Sequence, residues 1–190
     1  EKRLSSYVAH LESILNRDVE ARRNAGDLRL DGRLLSRTLA QKGLDKLFEL
    51  YRLPDYGGLD AYYRLGVYEL RTGLVENASE LLTLSAVITF TTVINHLLER
   101  DPEYRFTTFD DLLTGALKYR IVADYFYDTD AFGQLYALAL ALKASREAPK
   151  IEVGIQLLEL LRIHDAQGFW GRRAVRQLEK AFEDDFMIVF

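Results

Sequence analysis

Leu59-Asp60-Ala61-Tyr62-Tyr63-Arg64-Leu65-Gly66-Val67-Tyr68-Glu69-Leu70-Arg71-Thr72-Gly73-Leu74 is the stretch whose reading decides the fold. Tyr62, Leu65, Gly66 and Glu69 fall at i, i+3, i+4 and i+7, the spacing of one helical face. Leu74, Ala78, Leu81, Leu82 and Ser85 continue that rule beyond Thr72-Gly73. The spacing predicts a helical hairpin from Leu59 to Pro102 whose arms meet at Thr72-Gly73. Gly66 sharpens the expectation, because a glycine inside a helix costs about 1 kcal/mol against alanine and belongs where another helix comes close.

The second arm contains Val87-Ile88-Thr89-Phe90-Thr91-Thr92-Val93-Ile94, a β-branched run that would suit a strand. Glu80 to Leu84 and Asn95 to Glu99 flank it without turn signals, so the helix is expected to run through it. Apolar residues on nearly every side of Leu81 to Leu98 predict that this helix lies buried in the middle of the fold.

An aromatic residue, Leu-Gly about one turn later, and then an alanine and a large apolar residue on the next helix form the pattern of tetratricopeptide repeats. Tyr62, Leu65-Gly66, Ala78 and Leu82 occupy those offsets, so residues 59–102 resemble one such repeat. Glu69 stands where that family has a tyrosine, and the closing proline comes only at Pro102, about three helical turns late. The resemblance implies an α-solenoid whose first helices line a concave groove. It carries Tyr63, Val67, Leu70 and Arg71 over to groove-facing positions, with Arg64, Arg71 and Arg120 available to orient acidic groups of a protein or peptide partner.

Outside the hairpin the pattern stays helical. Residues 3–24 form a first helix with Leu4, Val8, Leu11, Leu15 and Val19 on one stripe and Arg17, Asp18, Glu20, Arg22 and Arg23 on a solvated one. Leu34 to Tyr51 carry a second helix, stopped by Pro54, and the arginines near this turn are expected to pair with neighbouring acids. Thr108 caps a helix that is expected to run to Tyr127, and Asp128 or Asp130 caps the next. Helices at about 151–164 and from Phe169 to about Phe186 follow. The expectation is a single all-α domain over residues 1–190, built of about eight helices in antiparallel hairpins, either solenoid-like or an irregular bundle.

Composition agrees. At 48% hydrophobic and 28% charged, with three prolines, the chain is globular and helix-prone rather than disordered. Having no cysteine, it has no disulfide, thiolate metal site or cysteine nucleophile, and it suits cytoplasm and periplasm equally. Residues 1–53 carry a net charge of +3 and residues 54–190 one of −7; with a pI near 5.5, nucleic acid is not an expected partner. No uninterrupted run of about 18 apolar residues occurs, so no membrane span is expected. The first residue is Glu1 rather than methionine, and Phe186-Met187-Ile188-Val189-Phe190 ends the chain on an apolar run. Any leader or anchor is therefore expected outside the chain, and the tail should either dock on the core or continue in a longer protein.

Chemistry has few candidates. Asp128-Thr129-Asp130-Ala131-Phe132-Gly133 has the Asp, Asp and Gly of a calcium loop, but Phe132 and Ala139 replace two further ligands, so helix capping is the expected role. His96 and Glu99 are one turn apart, without the further glutamates a metal bundle needs, and His10 and His164 stand alone. No phosphate loop, nucleophile elbow or zinc-protease motif is present. The expected function is therefore non-catalytic protein or peptide binding in a groove between hairpins, with no cofactor or metal. The alternative is a helical small-molecule binder or enzyme with a pocket lined by Tyr119, Tyr125, Phe126, Tyr136 and Trp170.

Overall fold

The computed structural model describes residues 2–26 and 31–180, and among these it contains helices and no strand. In chain order they are α1 (Lys2–Asn24), α2 (Gly32–Leu50), α3 (Leu59–Arg71), α4 (Val75–Arg100), α5 (Phe109–Lys118), α6 (Arg120–Asp128), α7 (Ala131–Lys143), α8 (Ala148–His164) and α9 (Phe169–Glu179). The tail at 186–190, the end of the last predicted helix and part of the 27–32 loop lie outside the described residues.

The hairpin forms as its spacing demands. Gly73 takes φ +84°, which only glycine adopts without strain, and turns α3 back onto α4. Gly66 lies against Leu82 of α4: a Cβ placed there would meet Leu82 Cγ at 2.7 Å, so the glycine sets the helix separation. The β-branched run stays helical, and Thr91 Oγ1 returns its hydrogen bond to the Val87 carbonyl at 2.7 Å.

Helix α4 is the centre. Its residues from Leu82 to Thr91 are all buried, and it packs against α2, α3, α5, α6 and α7. By length and composition it is apolar enough to cross a membrane, with a mean hydropathy of 1.7, but 72% of that window is buried inside the protein. The second apolar helix, α7, is buried from Ala131 to Leu142 and lies against α4 on one side and α8 on another. Contacts between elements far apart in sequence, α2 with α8 and α4 with α7, gather the hairpins around these two helices. Phe48, Phe90, Phe109, Phe126 and Phe132 form a chain of ring contacts through the core, with successive centroids 4.5–5.7 Å apart.

Three expectations change. The helix capped by Thr108, whose capping box with Asp111 is formed, does not run on to Tyr127. It breaks at Tyr119, which is extended at φ −103° and ψ 122°, giving α5 and α6. Helix α2 is kinked at Gly43, where φ is +80°. The buried face of α1 is also rotated from the expected stripe: Leu11, Leu15, Asp18 and Arg22 are buried, while Leu4 and Val19 are exposed.

The rotation has a local cause. Arg22 Nε donates to Asp18 Oδ2 at 2.7 Å, and Tyr62 Oη donates to the same oxygen at 2.8 Å, so an ion pair one turn long fastens α1 to α3. Asp18 is 1% exposed and Arg22 is 5% exposed. A charged pair is tolerated at such depth when most of its polar atoms are bonded; here Asp18 accepts from both Arg22 and Tyr62, and Arg22 Nη1 alone is left without a partner.

Candidate ligand-binding cleft

Between α3, the α6–α7 corner and the start of α9 lies a cleft of about 580 Å³. One wall comes from the hairpin: Leu59, Tyr63, Arg64 and Val67. Facing it are Asp128, Thr129, Asp130 and Gln134, with Phe169 and Trp170 closing the side.

The corner that carries Asp130 is built without a linker. Thr129 N–H donates to the Tyr125 carbonyl and Asp130 N–H to the Tyr127 carbonyl, which ends α6. Asp130 then takes φ 50° and ψ 45°, the sole positive φ of a non-glycine among the described residues, and the chain enters α7 at once. Aspartate tolerates this left-handed conformation better than most residues, at a cost of order 1 kcal/mol. Gln134 anchors the corner to α4. Its Oε1 accepts from Ser85 Oγ at 2.6 Å and Thr89 Oγ1 at 2.9 Å, and its Nε2 donates to the Thr129 carbonyl at 2.7 Å.

Held this way, the Asp130 side chain lies over the first turn of its own helix, where it accepts the Gly133 N–H, and also meets the opposite walls. Tyr63 Oη donates to Oδ2 at 3.1 Å, and Trp170 Nε1 donates to Oδ1 at 2.7 Å. The carboxylate lies over Gly133, in space that any Cβ there would occupy. Burial raises the Asp130 carboxyl above the usual carboxylate range, and the bonds from Trp170 and Tyr63 pull it partly back. Burial, and next the Asp130 charge, raises the Tyr63 phenol, which therefore stays a protonated donor.

Charge in the cleft is mostly negative. Arg64 Nε is committed to Asp60 of the same helix at 2.7 and 2.8 Å, so those two cancel. Asp55 Oδ1 accepts the N–H groups of Gly57, Gly58 and Leu59 at the entry to α3. Asp128, at the end of α6, is exposed, and its side chain has no hydrogen bond or ion pair among the described residues. The dipoles of α3, α7 and α9 begin here and together offset about one and a half charges. Asp55, Asp128 and Asp130 thus leave a net negative excess when ionised.

A smaller hollow of about 300 Å³ adjoins the cleft and shares Asp130, Phe169 and Trp170 with it. Its remaining walls are Phe126, Tyr127, Ala131, Phe132 and Gly168, with the Asp165 carboxylate as the one charged side chain among them. Tyr127 and Phe169 are 59% and 52% exposed, and both stand at this hollow.

Of the residues singled out from sequence, Tyr63, Arg64 and Val67 line the cleft. Leu70 is packed in the core and Arg71 is exposed at the end of α3; neither lines it. Of the five aromatic residues of the alternative pocket, Trp170 lines the large cleft, Phe126 and Trp170 line the smaller hollow, and Tyr136 is buried with its ring 5.1 Å from that of Trp170. His96 lies 3.2 Å from Glu99, and His164 lies 2.5 Å from Asp110 on α5. No group of three or more potential metal ligands is found among the described residues. Asp130 and Trp170 are the residues whose pairing the sequence did not expose, although Asp128-Thr129-Asp130 stood out as a cap. Compared with protein-family models, with curated proteins and with solved structures, the chain matches none of them.

Proposed function

We propose that this chain is a non-catalytic binding protein that captures a segment of a protein or peptide in the cleft between α3 and the α6–α7 corner. The observation that carries the reading is the convergence of Tyr63, Arg64 and Val67 on one wall with Asp130 and Trp170 opposite. A cleft of this volume accepts about one or two side chains or a small ligand. The continuation of its rim into a second hollow favours an extended occupant. Asp130 suits a recognition role because each of its oxygens accepts from a fixed donor, which holds the carboxylate still.

A random-peptide display library panned against the chain, and in parallel against Asp128→Trp, tests this. Asp128 is exposed at the rim, so the indole blocks the mouth without entering the core. The expected result is a set of peptides retained by the wild type and lost on the variant. Peptides that bind both proteins alike, or none at all, would overturn the proposal.

A further inference from the structure

We infer that the occupant of the cleft is a peptide segment pairing a basic side chain with a large apolar one, the first entering the acidic cleft and the second the adjoining aromatic hollow. This rests on the peptide-binding reading above and adds its chemistry. The two hollows are independent observations that share a wall. In the larger, Asp55, Asp128 and Asp130 form no ion pair among the described residues: Arg64 is paired with Asp60, and the Arg173 guanidinium lies over the Phe169 ring, 4.4 Å from its centroid. In the smaller, two of the most exposed large apolar side chains, Tyr127 and Phe169, flank a depression whose floor includes Phe126 and Phe132, with Asp130 and Asp165 as its polar side.

An anionic ligand is the competing possibility, because α3, α7 and α9 all begin at the cleft. Their N–H groups are already engaged: Asp55 caps α3, and Asp165 Oδ2 accepts from Trp170 and Gly171 N–H at 3.0 and 2.9 Å at the start of α9. Asp130 and Asp128 would repel an anion at α7. A guanidinium or ammonium meets the opposite situation. It finds the lone pairs left on Asp130 after Tyr63, Trp170 and the Gly133 N–H have donated, and the Asp128 carboxylate, whose side chain has no partner among the described residues. A lone small cation would fill only the first hollow. An extended segment puts side chains on one side at every second residue, about 7 Å apart, and so serves both.

The chain carries its own reporter, since Trp170 is its sole tryptophan and touches Asp130. Acetyl-Gly-Arg-Gly-Leu-Gly-amide is expected to change Trp170 fluorescence saturably. Replacing its Arg by Gln should weaken binding about tenfold, the size of one charge-assisted hydrogen bond. Replacing its Leu by Gly should weaken it by a comparable factor. In the protein, Asp128→Asn should selectively weaken the Arg-containing peptides, and Tyr127→Ser the Leu-containing ones. Both residues are exposed, so neither variant depends on repacking the core.

Three results would overturn the inference. Equal binding of the Arg and Gln peptides removes the cationic half, and equal binding of the Leu and Gly peptides removes the apolar half. Ethylguanidine binding as tightly as the full peptide would make the site one for a small cation. If display instead returns cleft-dependent peptides without basic residues, this inference fails while the peptide-binding reading stands. If no cleft-dependent peptide is returned, the peptide-binding reading itself fails.

Discussion

Tyr63 Oη donates to Asp130 Oδ2 at 3.1 Å, joining residues 67 positions apart and fastening the first arm of the hairpin to the start of α7. The bond belongs to stability as well as to the cleft. Tyr63→Phe keeps the ring but removes the donor, leaving Trp170 as the side-chain donor to a half-buried carboxylate. The expected loss is about 1.5–3 kcal/mol, the range for a hydrogen bond to a charged group, read as a lower urea midpoint at neutral pH. An unchanged midpoint would mean that this bond contributes nothing in solution.

Asp130 also predicts a pH dependence. Burial holds its carboxyl above the ordinary value, so the folded chain binds this proton more tightly than the unfolded one. For a group raised on folding, the stabilising contribution is complete below the unfolded value of about 3.9 and is lost as pH rises through the folded value. Asp130→Asn cannot ionise and tolerates the left-handed conformation. The stability of the wild type relative to this variant should therefore decline as pH is raised from about 4, and level off once the carboxylate is ionised. Urea titrations of both proteins across that range measure it. A difference that rises with pH would show that the carboxyl is lowered on folding, not raised.

The parts of the fold governed by local spacing are legible in the residues themselves. The hairpin, the burial of α4 and the cap at Thr108 follow from periods of three to four residues and one hydroxyl at a helix start. The break at Tyr119 is not, because Leu117, Ile121 and Val122 keep an apolar rhythm across it; the extended φ and ψ of Tyr119 interrupt the helix without a proline or glycine. The site is legible on one wall only. Tyr63, Arg64 and Val67 lie on one helix, but Asp130 and Trp170 reach them only after α4 and α7 have packed, through Gln134 and its bonds to Ser85 and Thr89. No short-range pattern encodes that juxtaposition.

The same limit hides the Asp18–Arg22 pair, which reads from sequence as two charges on a solvated stripe. Its burial beneath Tyr62 predicts an asymmetric response to substitution. Asp18→Ala strands the Arg22 guanidinium, whose Nη1 already has no hydrogen-bond partner, and should cost about 3–5 kcal/mol. Replacing both partners with apolar residues, Asp18→Leu with Arg22→Met, should cost far less, because no uncompensated charge is left behind. Denaturant unfolding of the three proteins decides this. A double variant at least as unstable as the single one would place the energy in α1 packing instead of in the ion pair.

Gly66 offers the sharpest test of the helix pair itself. Alanine would favour the helix by about 1 kcal/mol. Its Cβ would nevertheless meet Leu82 Cγ at 2.7 Å and Cδ2 at 2.9 Å, and Leu82 is fully buried. Overpacking of this kind costs about 1–3 kcal/mol, so steric cost should exceed propensity and Gly66→Ala should destabilise. Because the clash is with one side chain, the sign should reverse in a Leu82→Ala background, where the added methyl enters vacated space and the propensity gain remains. Thermal or urea unfolding of the four proteins in this cycle gives the coupling directly. If Gly66→Ala is equally costly with and without the Leu82 side chain, the glycine is required by something other than the close crossing of α3 and α4.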